Sequence, residues 1–179
     1  MKFSHRQIFL AIVLALVSLG FVCKNTAQNP SSISNQEGTT VPADWKEYRN
    51  NEWNVRLAIP SGWEYRMRSK EEIGGQDILW VDFNRGTVVF KEAADVVYPL
   101  GLTVSKQNLQ EELDAIQNKL SQTEVVLGGK SFTKVAYKDT LSDSVFIVYF
   151  FVSEGRVYAI DGDASLTDLE QIVSTLEVK

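Results

Sequence analysis

Histidine and cysteine are nearly absent from this chain. Among 179 residues there is one of each, His5 and Cys23, and both stand ahead of Lys24. Everything beyond lacks a disulfide, a thiol nucleophile, an imidazole base and a Cys/His metal cage, which removes the commonest acid–base group near neutral pH and the commonest zinc ligand. Positive charge is short as well. All 23 acidic residues come after Cys23, whereas two of the 18 basic ones, Lys2 and Arg6, precede it, so the part after Cys23 carries −7 against −5 for the whole chain. That sign argues against nucleic acid or anionic lipid as a partner. No Gly-x-Ser-x-Gly elbow occurs, and a serine nucleophile would lack its histidine. Gly129-Lys130-Ser131 has the ending of a phosphate loop, but Glu124 stands where that motif needs glycine and strand-forming residues come next, so it reads as a hairpin turn. No constellation marks a reaction, and the expectation is a protein that is not an enzyme.

Long apolar runs are confined to two places. Ile8–Val22 has only Ser18 as a polar residue and comes after Lys2 and Arg6, which makes residues 1–23 an export signal peptide or signal-anchor. Cys23 directly after it resembles the lipidated cysteine of a bacterial lipoprotein, although Val22 replaces the small residue favoured there. Lipidation of Cys23, an uncleaved N-terminal helix and cleavage with secretion stay open; the first two tether the protein outside the cytoplasm. Residues 24–43, rich in Ser, Thr, Asn, Gln and Pro, read as a disordered linker. As a flexible coil it would hold the domain beyond it about 25 Å from the anchor.

The second run is Val145–Val152, V-F-I-V-Y-F-F-V. A strand with one wet face alternates, so eight apolar residues without a break predict a strand covered above and below. Residues 44–179 form the single domain expected to supply those layers. Val55–Ile59 and Trp63–Met67 alternate around Pro60-Ser61-Gly62 and predict a hairpin; Ile78–Phe83 and Thr87–Lys91 predict a second, around Asn84-Arg85-Gly86. Leu100–Val104 is a further strand. Asn108 and Glu111 cap a helix whose stripe is Leu109, Leu113, Ile116 and Leu120. Glu124–Leu127, Gly128-Gly129 and Ser131–Tyr137 predict a two-residue hairpin. Arg156–Ile160 returns from the buried strand, and a second helix, Leu166–Leu176, is expected with Ser165 or Thr167 as its cap. Strands joined by short links, with two helices and no repeated β–helix–β unit, predict an α+β fold: an antiparallel sheet between helices, one on each face.

Two groups of side chains are candidates for binding. In a meander the loops before Val145 and after Ile160 share one end of the sheet, which brings Asp139 and Asp143 toward Asp161 and Asp163. Four carboxylates suit a hard cation such as calcium, though no twelve-residue calcium loop is present, and turn capping would also account for them. Trp45, Tyr48, Trp53, Trp63 and Tyr65 read either as a ligand platform or as a core plug over the sheet.

Trp53–Ile59 running into Pro60-Ser61-Gly62-Trp63, Leu127-Gly128-Gly129-Lys130 before a strand, Glu154-Gly155-Arg156-Val157-Tyr158 and the closing Ile172-Val173-Ser174-Thr175-Leu176 together resemble the PsbP-like proteins. That family includes an extrinsic subunit of photosystem II, a Ran-binding protein and bacterial exported or lipid-anchored proteins. The resemblance spans Trp45 to Glu177. It implies an α/β/α sandwich and a non-enzymatic binding or accessory role. Histidines implicated in the photosystem subunit's interactions have no counterpart here. The expectation is a tethered monomer that binds an unknown protein partner through an exposed apolar or aromatic patch; the alternative is a calcium-like cation at the aspartates.

Overall fold

The computed structural model describes residues 41–86, 98–140 and 143–179. The expected export signal, Cys23, most of the expected linker and Thr87–Lys91 lie outside them. In chain order the elements are β1 (Lys46–Asn50), β2 (Val55–Ile59), β3 (Trp63–Met67), β4 (Leu79–Arg85), β5 (Leu100–Ser105), α1 (Leu109–Ala115), β6 (Lys119–Leu127), β7 (Lys130–Lys138), β8 (Val145–Ser153), β9 (Arg156–Asp163), α2 (Leu169–Ser174) and β10 (Glu177–Val178). Among the described residues these strands make two sheets, one ordered β1-β2-β10 and one ordered β3-β4-β5-β9-β8-β7-β6. Every pairing is antiparallel. No helix of the described residues is long and apolar enough to cross a membrane.

The expected double burial of Val145–Val152 is realised in β8 over Phe146–Phe151, while Val145 and Val152 at its ends are exposed. Ile147, Tyr149 and Phe151 face one core, while Val148 and Phe150 face a second on the other side of the sheet. The larger core lies between the two sheets. Val55, Leu57 and Ile59 of β2, fully buried, meet Val81, Phe83, Leu100, Leu102 and Ile160 from the large sheet, and Leu169, Ile172, Val173 and Leu176 complete the seal. The smaller core is Val135, Val148, Phe150 and Val157 beneath Leu113 of α1. The two helices therefore do take opposite faces, but β1, β2 and β10 share one layer with α2.

Several elements depart from their sequence patterns. Val55–Ile59 and Trp63–Met67 do not pair with each other. β2 joins β1 and β10, whereas β3 joins β4, and Pro60-Ser61-Gly62 carries the chain from one sheet to the other. The cause is that all the odd positions of β2 are apolar and need a covering layer; lying across the large sheet buries them completely, and a hairpin partner alone would not. The strand β1, within the aromatic segment, and the short β10 have no alternation that marks them in the sequence. The first helix keeps its cap, Asn108 Oδ1 accepting from the Glu111 amide at 2.9 Å, but it ends at Ala115. Asn118 adopts φ +51°, and Leu120 lies in β6, exposed. Pairing along the whole of β7 outweighs a last helical turn. Lys119 Nζ closes the shortened helix by donating to Leu113 O at 3.0 Å. The second helix spans only Leu169–Ser174 of the expected Leu166–Leu176; all five residues of the stripe are buried, but Leu166 and Leu176 lie outside the helix, and neither Ser165 nor Thr167 caps it. Asp168 stands at the cap without a side-chain bond, and Asp163 organises the preceding turn by accepting from the Ser165 amide at 2.8 Å.

Gly128-Gly129 forms the expected two-residue turn between β6 and β7, with φ +55° and +75°. Both angles favour glycine, but the positions are not equivalent. A Cβ on Gly128 would stand 2.0 Å from the Ser174 carbonyl oxygen at the end of α2, whereas one on Gly129 would meet nothing within 4 Å. The turn is thus a packing surface for the second helix. Gly129→Ala is expected to cost about 1 kcal/mol through backbone strain alone, and Gly128→Ala more than ~2 kcal/mol because the helix end must also move; urea unfolding of the two variants measures the difference.

Candidate functional site in the open face of the sheet

The face of the large sheet that carries the smaller core is only partly covered. The seven-residue α1 reaches Val135, Val148, Phe150 and Val157. Beside it the sheet lies open as a cleft of about 570 Å³, floored by Val148, Phe150 and Ala159 and bordered by Trp80, Thr103, Ser105, Tyr137, Asp139 and Asp161. A recess of about 160 Å³ continues it past Arg68, Asp82, Tyr98 and Gly101, and Trp80, Tyr137, Asp139 and Asp161 line both.

The strand register explains how charged groups come to sit there. Asp82 of β4 is directly opposite Gly101 of β5, and Gly101 is opposite Asp161 of β9. Two carboxylates thus flank a glycine on one face, with side chains from alternate strands. Gly101 is required by this arrangement, since a Cβ there would stand 2.5 Å from Asp161 Oδ1. The two aspartates have different surroundings. Asp82 is buried and accepts from Arg68 Nε at 2.8 Å and Nη2 at 3.1 Å, with Arg66 Nη2 at 3.6 Å. Arg68 in turn lies over the Trp80 ring, 4.1 Å from its centroid. A two-bonded guanidinium against an aromatic face is the geometry that makes a buried carboxylate tolerable.

Asp161, half-buried, pairs with no cation among the described residues. Burial pushes its carboxyl up to about 6, the Asp82 charge adds to the rise, and its own backbone amide and Arg68 pull it part of the way back. Tyr137 stacks on Phe146 at 6.0 Å between ring centroids. Its hydroxyl is also raised, first by burial and then by the charges of Asp161 and Asp139, so it stays protonated and able to donate. On the rim Ser105 donates to Glu112 Oε1 at 2.5 Å and ties β5 to α1.

The four aspartates singled out from the sequence are not gathered. They do share one end of the sheet, since Lys138 pairs with Val145 and Phe146 with Asp163. Yet Asp161 points into the cleft, Asp163 accepts from the Ser165 amide, and Asp143 pairs with Lys138 Nζ at 2.6 Å. Asp139 alone joins Asp161 along the cleft. Among the described residues no group of three or more carboxylates could hold a metal ion. The meander argument located the loops correctly but took no account of side-chain direction, which in a strand alternates and in these loops is set by turn bonds. Of the aromatic group, Tyr48, Trp53 and Trp63 are core, and Trp45 packs against it. Tyr65 is exposed, with its ring 4.9 Å from Tyr48 in an edge contact. The plug reading accounts for them. Sequence reasoning missed Asp82, Arg68, Trp80 and Tyr137. The available signal was Asp82 itself, a charge set inside the apolar strand Ile78–Phe83 with Arg66 and Arg68 on a neighbouring strand.

An ionised, half-buried carboxylate with a raised pKa destabilises the fold above its folded value near 6, and the penalty vanishes once both folded and unfolded forms are protonated, below about 4. Asp161→Asn removes it. The variant is expected to melt roughly 2–4 °C higher than the parent at pH 8, a gain of about 1 kcal/mol, and to lose that advantage by pH 4. Paired thermal melts across that range test the sign and the window.

No family model matches the chain, and no curated protein does either. Among solved structures it is similar to cyanobacterial PsbP from Synechocystis sp. PCC 6803, at 12% identity and TM-score 0.48, covering 82% of this chain and 99% of that one. It is also similar to a crystal structure from Bacteroides thetaiotaomicron, at 12% identity and TM-score 0.46, covering 76% of this chain and 49% of that one. The chain thus spans about half the length of the Bacteroides protein. At 12% identity these are likenesses of chain path, and the chemistry of the cleft belongs to this chain's own side chains.

Proposed function

We propose that this protein is an exported, membrane-tethered binding or accessory module, without catalytic activity, that recognises a protein partner through the open face of its large sheet. The observation that carries the reading is the unequal covering of that sheet. One face is sealed by a second sheet and α2, while the other keeps an open cleft of about 570 Å³ beside a helix of seven residues. A volume of that size, apolar at the floor and polar at the border, has the character of a recognition site. The acidic balance after Cys23 suits a partner of opposite charge. Tethering rests on Lys2, Arg6 and Ile8–Val22, with Cys23 as the lipidation residue, and the polar stretch 24–43 supplies reach.

The test is chemical cross-linking of the full chain in its own membrane, comparing the parent with Ala159→Phe, which fills the cleft floor, and with Glu154→Gln in the distant β8–β9 turn. A discrete partner retained by the parent and Glu154→Gln but depleted about tenfold or more by Ala159→Phe is the expected pattern, a loss of some 1.4 kcal/mol. Capture indifferent to the filled cleft would remove the open face from the function.

A further inference from the structure

Asp161 lines the cleft border, and among the described residues no cation is in contact with its carboxylate. Asp82 has Arg68 and Arg66, Asp143 has Lys138, and Glu170 has Lys134 at 2.7 Å. Asp161 makes no ion pair and no hydrogen bond to another side chain among the described residues; Arg68, which lines the recess, is committed to Asp82. Such a group is costly to keep in a half-buried site unless something else pairs with it. Its neighbours narrow what that partner is. Asp139 lines the same cleft and adds a second carboxylate, so an anion is repelled. The floor of Val148, Phe150 and Ala159 is apolar and favours a cation carried on a hydrocarbon stem.

We propose that the partner inserts an unmodified lysine side chain into this cleft, its methylenes over Val148, Phe150 and Ala159 and its ammonium on Asp161. Lysine suits the site better than arginine because of how the carboxylate lies. Its Oδ1, Cγ and Oδ2 are 2.5, 3.1 and 3.2 Å from the position a Gly101 Cβ would take, so the group is laid over the strand. A compact ammonium with three rotatable donors can approach it from the open side, whereas a guanidinium needs the carboxylate edge for its two parallel bonds. The inference rests on the reading of the cleft as the recognition surface and adds the chemistry of the group that enters it.

The experiment titrates the full chain in detergent micelles with Nα-acetyl-lysine methylamide and, separately, with the same compound acetylated on Nε, following backbone amide shifts. The free amine is expected to bind in the millimolar range, with the largest shifts at Ala159, Asp161 and Tyr137, and the acetylated form at least tenfold more weakly. Asp161→Asn is expected to reduce binding of the free amine by a similar factor while keeping the parent's spectral dispersion. Equal binding of both compounds, no binding of either, or binding unchanged in Asp161→Asn overturns the inference; the comparison of the two compounds needs no variant. The cross-linking assay separates this from the broader reading. Partner capture lost in Ala159→Phe but kept in Asp161→Asn rejects lysine and leaves the cleft, whereas capture unaffected by either rejects the cleft.

Discussion

The apolar contact between β2 with α2 and the inner face of β4, β5, β9 and β8 is the constraint on which the rest of the molecule depends. Val55, Leu57, Ile59, Ile172, Val173 and Leu176 are fully buried in it. Each such side chain contributes roughly 1.5–3 kcal/mol relative to exposure, so this layer dominates the favourable terms. It also draws in pieces distant in sequence. Tyr149 donates from β8 to Glu170 Oε1 at 2.9 Å, and Ala58 of β2 donates its amide to the Thr175 hydroxyl at 2.9 Å. Burial beside Glu170 pushes the Tyr149 hydroxyl up to about 12. These polar contacts fix the position of a helix too short to be stable alone.

Because that face is closed so fully, the opposite one is free to carry polar groups. β4 and β9 illustrate it: alternate residues Leu79, Val81 and Phe83, like Tyr158 and Ile160, enter the large core, while Trp80, Asp82 and Asp161 project to the other side. The same alternation that builds the core places the cleft. A short α1 covers part of the second face and leaves the remainder as the open cleft. The stability cost of an unpaired Asp161 is a local inconsistency in a fold whose other buried polar groups are largely paired.

Much of the architecture was legible from residue pattern. The uninterrupted run Val145–Val152 announced a strand needing two layers, Gly128-Gly129 announced its turn, and Leu169, Ile172 and Val173 announced a helix that buries one side, while Leu166 and Leu176 of the same stripe are buried just outside it. These succeed because they are local: a period, a positive φ, an apolar face. The failures share a cause too. Val55–Ile59 and Trp63–Met67 look like hairpin arms, and Leu120 fits a helical stripe, because each pattern is satisfied by more than one partner. Periodicity states which side of an element is apolar; it does not state what will cover that side.

The amino-acid sequence by itself determined the chemistry that is missing, the sign of the charge, the apolar run Ile8–Val22 and the alternating strands, since each depends only on composition or on neighbours along the chain. Tertiary structure alone decided the site. Asp82, Gly101 and Asp161 lie on three strands far apart in sequence, and only the registers of β4 with β5 and β5 with β9 set them in one row. The same packing turned Asp163 and Asp143 to their turn and ion-pair bonds and left Asp161 in the cleft. Whether a carboxylate is paired depends on distances across the fold, and no spacing along the chain encodes those distances.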